Sequence, residues 1–98
     1  MADDLLSLED FEPHVGTAFR CSLGQGLSVE LALSSAERLP SRAEGLRPPF
    51  SLLFRGRFAA APVQGTYRLE HPAMGTLDLF LVPVGLTGDR FDLEAVFA

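Results

Sequence analysis

The sequence reads as an all-β domain: about six antiparallel strands forming a small barrel or sandwich, behind a short N-terminal helix. Three observations lead there. Apolar and polar residues alternate with a period of two through several short runs, the pattern of half-buried strands. Turns bearing glycine or proline separate those runs at short intervals, which suits local antiparallel connections. The chain has 98 residues, 47% hydrophobic and 21% charged. That supports one core but not two, so residues 1–98 are expected to form a single domain.

In chain order, Ser7-Leu8-Glu9-Asp10-Phe11 has the form of a helix start, with Ser7 as N-cap and Asp10 in the acidic position of a capping box. Pro13 limits the helix to one or two turns and Gly16 is placed to end it. Thr17, Phe19, Cys21 and Leu23 then alternate with polar or small residues, as do Leu27, Val29, Leu31 and Leu33. The intervening Gly24-Gln25-Gly26 makes these runs a β-hairpin. Residues 37–49 hold three prolines and three arginines and are expected to be a long loop, either solvated or a contact surface. A third strand runs over 49–56 with Phe50, Leu52 and Phe54 on one face, and residues 58–63 connect it to the next. A fourth spans 64–71, with Tyr67, Leu69 and His71 on one face. The fifth spans 76–84, lined by Leu77, Leu79 and Leu81, with Pro83 suited to an edge or a bulge. Residues 85–89 turn the chain, and the last strand spans 90–97 with Phe91, Leu93, Ala95 and Phe97 inward.

Charge and composition exclude several classes. One cysteine permits neither an intramolecular disulfide nor a thiolate zinc cluster. No apolar run is long enough to span a bilayer, and the acidic opening residues do not form a signal peptide, so a soluble cytoplasmic protein is expected. The formal net charge is −5, and every basic residue is arginine. Arg38, Arg42, Arg47, Arg55 and Arg57 lie in a stretch whose one acid is Glu44, net +4; the remainder holds three arginines and twelve acids, net −9. The chain is polarised along its length.

The sequence offers no catalytic, cofactor or metal residues. Cys21 alternates with Phe19 and Leu23, which makes it a core residue and an inert thiol. His14 and His71 are far apart and lack ligand spacing; His71, before Pro72, is expected to hydrogen-bond within the turn. Asp92 and Glu94 occupy the wet face of the last strand, as Arg68 and Glu70 do on theirs, and cross-strand ion pairs account for them. The Gly24-Gln25-Gly26 loop joins two strands and opens no helix, so it has no phosphate-binding character. An acidic chain without aromatic interleaving in its basic stretch is not expected to bind nucleic acid. An enzyme would require Tyr67, His71 and either Glu70 or Arg68 to converge against strand parity.

One strand breaks the alternation. Opposite its leucines it carries Asp78, then Phe80, Val82 and Val84, and is apolar on both faces for most of its length. Covering each such side chain is worth roughly 1.5–3 kcal/mol, so a cover is expected. The expected cover is the N-terminal helix through Leu5, Leu8 and Phe11; the alternative is a second protein chain.

The segments Pro49-Phe50-Ser51-Leu52-Leu53-Phe54-Arg55-Gly56, Gln64-Gly65-Thr66-Tyr67-Arg68-Leu69-Glu70-His71-Pro72 and Leu79-Phe80-Leu81-Val82-Pro83-Val84-Gly85 resemble an uncharacterised family of small bacterial domains. Leu8-Glu9-Asp10-Phe11 and Glu94-Ala95-Val96-Phe97 extend the resemblance over nearly the whole chain. It implies no activity. It implies neighbours resembling phage tail-collar or fibre proteins, and hence an assembly or accessory role. The function expected is a non-enzymatic protein-interaction or assembly module, self-associating or bound to a protein partner. In it Phe80, Val82 and Val84 supply contact area while Arg42, Arg47, Arg55 and Arg57 orient an acidic partner. The alternative is a small-ligand-binding β-barrel.

Overall fold

The computed structural model describes residues 6–40, 48–58 and 61–97. Its first element is set by local chemistry. The Asp10 carboxylate accepts from the Ser7 N–H at 2.8 Å and from the Ser7 hydroxyl at 3.2 Å, closing the capping box that starts α1 (Leu8–Phe11). Pro13 sits early in the 3₁₀ turn that follows (Glu12–His14), and Gly16 redirects the chain at φ +93°.

Six strands follow: β1 (Ala18–Gly24), β2 (Leu27–Arg38), β3 (Phe50–Arg57), β4 (Gly65–His71), β5 (Gly75–Thr87) and β6 (Arg90–Phe97). They close into an antiparallel barrel in the order β1-β2-β3-β6-β5-β4. The expected all-β architecture is therefore present, in its barrel form. Four seams of this barrel join strands adjacent in sequence or by hairpin; β1 meets β4 only through Arg20↔Glu70 and Cys21↔Leu69.

Parity places the core. Phe19 and Cys21 of β1, Leu31 and Leu33 of β2, Leu52 and Phe54 of β3, Leu69 of β4, Leu81 of β5 and Leu93 of β6 are almost wholly buried. Gly56 also belongs here. A Cβ at this position would sit 2.5 Å from Leu31 Cδ2 and 2.8 Å from the Glu30 carbonyl oxygen, so β2 and β3 approach as they do because the residue is glycine.

The two mouths are closed by different devices. At the end where β3 begins and β6 finishes, α1 inserts Leu8 and Phe11; the Phe11 ring lies 6.0 Å from Phe50 and 5.7 Å from Phe97. At the opposite end the connection leaving β3 lays Phe58 edge-on against Phe91 at 5.8 Å, and the Phe58 N–H donates to the Asp89 carbonyl.

Two strands outrun their expected limits. β2 continues to Arg38, and β5 continues to Thr87, leaving a turn at Gly88-Asp89 where residues 85–89 were expected to turn. Each strand carries a bulge, at Leu33/Ser35 and at Pro83/Gly85. A bulge inserts one unpaired residue and resets parity, so the period-two signal stops although the strand does not. Pro83 thus lies at a bulge, where its missing N–H costs no ladder bond.

Candidate functional site

The outer faces of β5 and β6 carry the apolar surface anticipated from β5. Phe80 is 54% exposed and Val84 53%, and Val82 is half-buried. β6 adds Val96 at 57% exposure, and β3 adds a half-buried Leu53. The register explains the clustering. Phe80 is paired with Thr66, Val82 with Glu94, Glu94 with Leu53, and Val96 with Ser51, so these side chains form adjoining rows. The β5–β6 ladder stops at Val82↔Glu94; beyond it a shallow groove of about 360 Å³ opens between the strands, lined by Thr66, Asp78, Phe80, Val96 and Phe97.

The helix does not cover this face, which corrects the expectation. Leu8 and Phe11 point into the mouth of the barrel, and Leu5 lies outside the described residues. A single helical turn ended by Pro13 is too short to fill the mouth and also drape β5.

The arginines divide into two groups. Arg42 and Arg47 lie outside the described residues. Arg55 grips Asp92, its register partner, through Nε–Oδ1 at 2.8 Å and Nη2–Oδ2 at 3.4 Å. Arg57 contacts Asp89 at 3.1 Å, and Arg38 contacts Glu9 at 2.8 Å. The polarity seen along the sequence is thus locally neutralised in space: each of these three arginines is met by an acid from the acidic part of the chain. Arg68 pairs likewise with Asp78 at 3.2 Å. Cross-strand ion pairs were expected for these charges, and Arg55–Asp92 and Arg68–Asp78 are such pairs.

Tyr67, Arg68 and His71 each have a partner or an enclosure of their own. The Tyr67 hydroxyl donates to the Val63 carbonyl, Arg68 holds Asp78, and His71 is enclosed at the helix end. Cys21 is buried, and burial pushes its thiol up to about 11. Among the described residues, no group of three or more His, Cys, Asp or Glu side chains could hold a metal ion.

Sequence reasoning missed one constellation. His14 and His71 are 57 positions apart, yet their rings meet edge-on with centroids 4.6 Å apart. The closure of β1 against β4 brings them together, and no spacing in the sequence signals that. His71 makes the turn contact expected of it, its Nδ1 accepting from the Ala73 N–H at 3.0 Å.

Fold and surface together define a class: a small closed β-barrel with a filled interior, plugged mouths and an apolar outer face. The chain belongs to the family DUF6916, a domain of unknown function, whose family model matches residues 6–97. No curated protein and no solved structure matches the chain. Among the described residues, no helix is long and apolar enough to cross a membrane.

Proposed function

We propose that this domain is a non-enzymatic assembly module that binds a second copy of itself through the outer face of β5 and β6. One observation carries the reading: Phe80 and Val96 stand more than half exposed in adjoining rows, with Val84 exposed further along β5, while the barrel interior is already filled by side chains such as Phe19, Phe54 and Leu81. The fold does not need the outer residues inside, and burying them against protein recovers their transfer free energy. The rim carries both signs, with Asp78 and Arg68 on one side and Asp92 and Arg55 on the other. A two-fold related copy can therefore meet opposite charges. Cytoplasmic residence, bacterial origin and service to a phage-tail-like or fibre-like protein are the finer parts of this proposal; the first rests on the composition of the chain, the other two on the family resemblance. Arg42 and Arg47 enter the proposal as charges of the 37–49 segment that orient an acidic partner surface.

Size-exclusion chromatography with light scattering tests it. The wild-type chain is expected to gain mass with concentration, and a Phe80→Ser/Val96→Ser double variant is expected to stay monomeric. A wild type that remains a strict monomer at high concentration overturns self-association.

A ligand-binding reading has one observation in its favour. Where β1 and β4 diverge, Leu23, Leu27, Phe58, Val63 and Tyr67 line an open apolar wedge of about 560 Å³. Enhanced fluorescence of an apolar dye, lost in Leu27→Ser, would support it; the filled barrel axis moves any ligand to this outer wedge.

A further inference from the structure

We propose that His71 is a pH-sensitive staple that holds the helical cap on one mouth of the barrel and lets it loosen on acidification. The hydrogen bonds fix its proton. Nδ1 accepts from the Ala73 N–H, so the proton of the neutral ring is on Nε2. Nε2 lies 3.0 Å from Thr17 Oγ1, whose own hydroxyl donates to the His14 carbonyl at 2.6 Å. The neutral ring thus ties three segments together: the turn after β4, the start of β1 and the 3₁₀ turn that follows α1. The Phe19 ring packs on it at 4.4 Å, and only 9% of the residue is exposed.

A second proton has nowhere favourable to go. It must enter on Nδ1, which faces the Ala73 N–H, and two donors then confront each other across a 3.0 Å contact. The charged ring also lies against His14, whose imidazole disfavours a positive charge beside it. Burial, and secondarily His14, hold the imidazole below its ordinary 6.5. The other charged groups nearby are Glu12 of the 3₁₀ turn, exposed, and Arg20 of β1, Glu30 of β2 and Glu70 of β4. The last three line an open groove beside His71, but on its strand Glu70 has the opposite parity and projects to the outer face. β5 brings Gly75 and Thr76 to that groove, neither charged.

Hydrating a protonated His71 requires the 3₁₀ turn and the β4–β5 turn to part, and α1 is directly attached to the first of these. The sign follows from linkage. The folded group binds its proton more weakly than the open one, so the stapling is fully present above 6.5. It is lost as pH falls from there through the folded value.

Hydrogen exchange read by NMR on the full chain, corrected for intrinsic rates, tests this between about pH 7.5 and 5.5. The amides of Gly16, Thr17 and Ala73 are expected to lose protection, roughly tenfold per pH unit at most, while Leu52 and Leu93 keep theirs. His71→Gln removes the titrating group, so its pattern is expected to be insensitive to pH over this range. His14→Gln is expected to keep the response and move its midpoint upward. Should His71→Gln fail to fold, the wild-type His71 ring signals decide by their own titration. A ring that titrates at 6.5 or above, cap amides that keep their protection at the acidic end, or an undiminished response in His71→Gln overturns the proposal.

Discussion

Both sides of β5 carry large apolar residues, and these meet opposite fates. Leu77, Leu79 and Leu81 face inward and are buried, whereas Phe80 and Val84 on the other side are more than half exposed. Hydropathy alone does not separate them; closure of the sheet does. Whichever side faces the axis becomes core, and the other side is left for whatever the surface does. The inner set is answerable to the fold and the outer set is not, so the two should respond differently to the same kind of substitution.

The largest difference is expected at Leu81. Its side chain is fully buried among the interior residues, so Leu81→Ala removes apolar contact and leaves a cavity. A loss of about 2–5 kcal/mol is expected in urea unfolding, a large share of the roughly 5–15 kcal/mol a domain has. Gly56→Ala probes the same interior from the opposite direction, by adding one methyl group. The new Cβ would press on the Glu30 carbonyl, which is backbone and cannot swing aside. About 1–3 kcal/mol of destabilisation is expected from overpacking, read by the same unfolding curves.

Cys21 reports on the interior without a mutation. Its thiol is held up at about 11 by burial, so a thiol reagent at neutral pH should modify it only as fast as the barrel opens. The sign of its linkage is the reverse of that for His71. The neutral thiol is favoured in the folded chain, so the associated stability is full below 9.0 and is lost as pH rises through about 11. Labelling kinetics that match those of the unfolded chain would break the distinction between inside and outside at this position.

Much of the inner face was legible in the sequence because it obeys a single rule. Phe19, Cys21, Leu31, Leu33, Phe50, Leu52, Phe54, Leu69 and Leu93 all follow period two, and all are buried. What could not be read is whatever depends on closure. The bulges at Leu33/Ser35 and Pro83/Gly85 shift parity in mid-strand, so Arg38 and Leu86 looked like loop residues although each pairs across a seam. The contact of His14 with His71 depends on β1 lying beside β4, and the plugging role of Phe11 depends on where the mouth is. The outer apolar row was legible as a departure from alternation, but its failure to be covered by α1 was not, because the helix's destination is a three-dimensional fact.

Smaller effects are expected where charges, rather than apolar groups, face outward. Arg55 and Asp92 make a pair with two contacts between register partners. Both remain partly solvated, so Asp92→Asn should cost little in the same unfolding curves, and the difference from wild type should shrink in high salt. A loss of several kcal/mol would mean that the outer surface is bound into the fold as tightly as the core.

The smallest effect on stability, and the most informative, is expected at Phe80. Its ring is as large as those of Phe19 and Phe54, but it stands over half exposed beside Thr66 and the groove to Val96. In a monomer, Phe80→Ser should shift the unfolding free energy by about 0.5 kcal/mol or less in either direction, because little is packed against the ring. The same change should lower the mass of the self-associated species seen by light scattering, with Leu81→Ala, one residue away, doing the opposite: weakening the fold while leaving the outer face intact. If Phe80→Ser instead destabilises the dilute monomer by several kcal/mol, the ring belongs to the core after all. The apolar character of both sides of β5 would then be a requirement of the barrel and not of an interface.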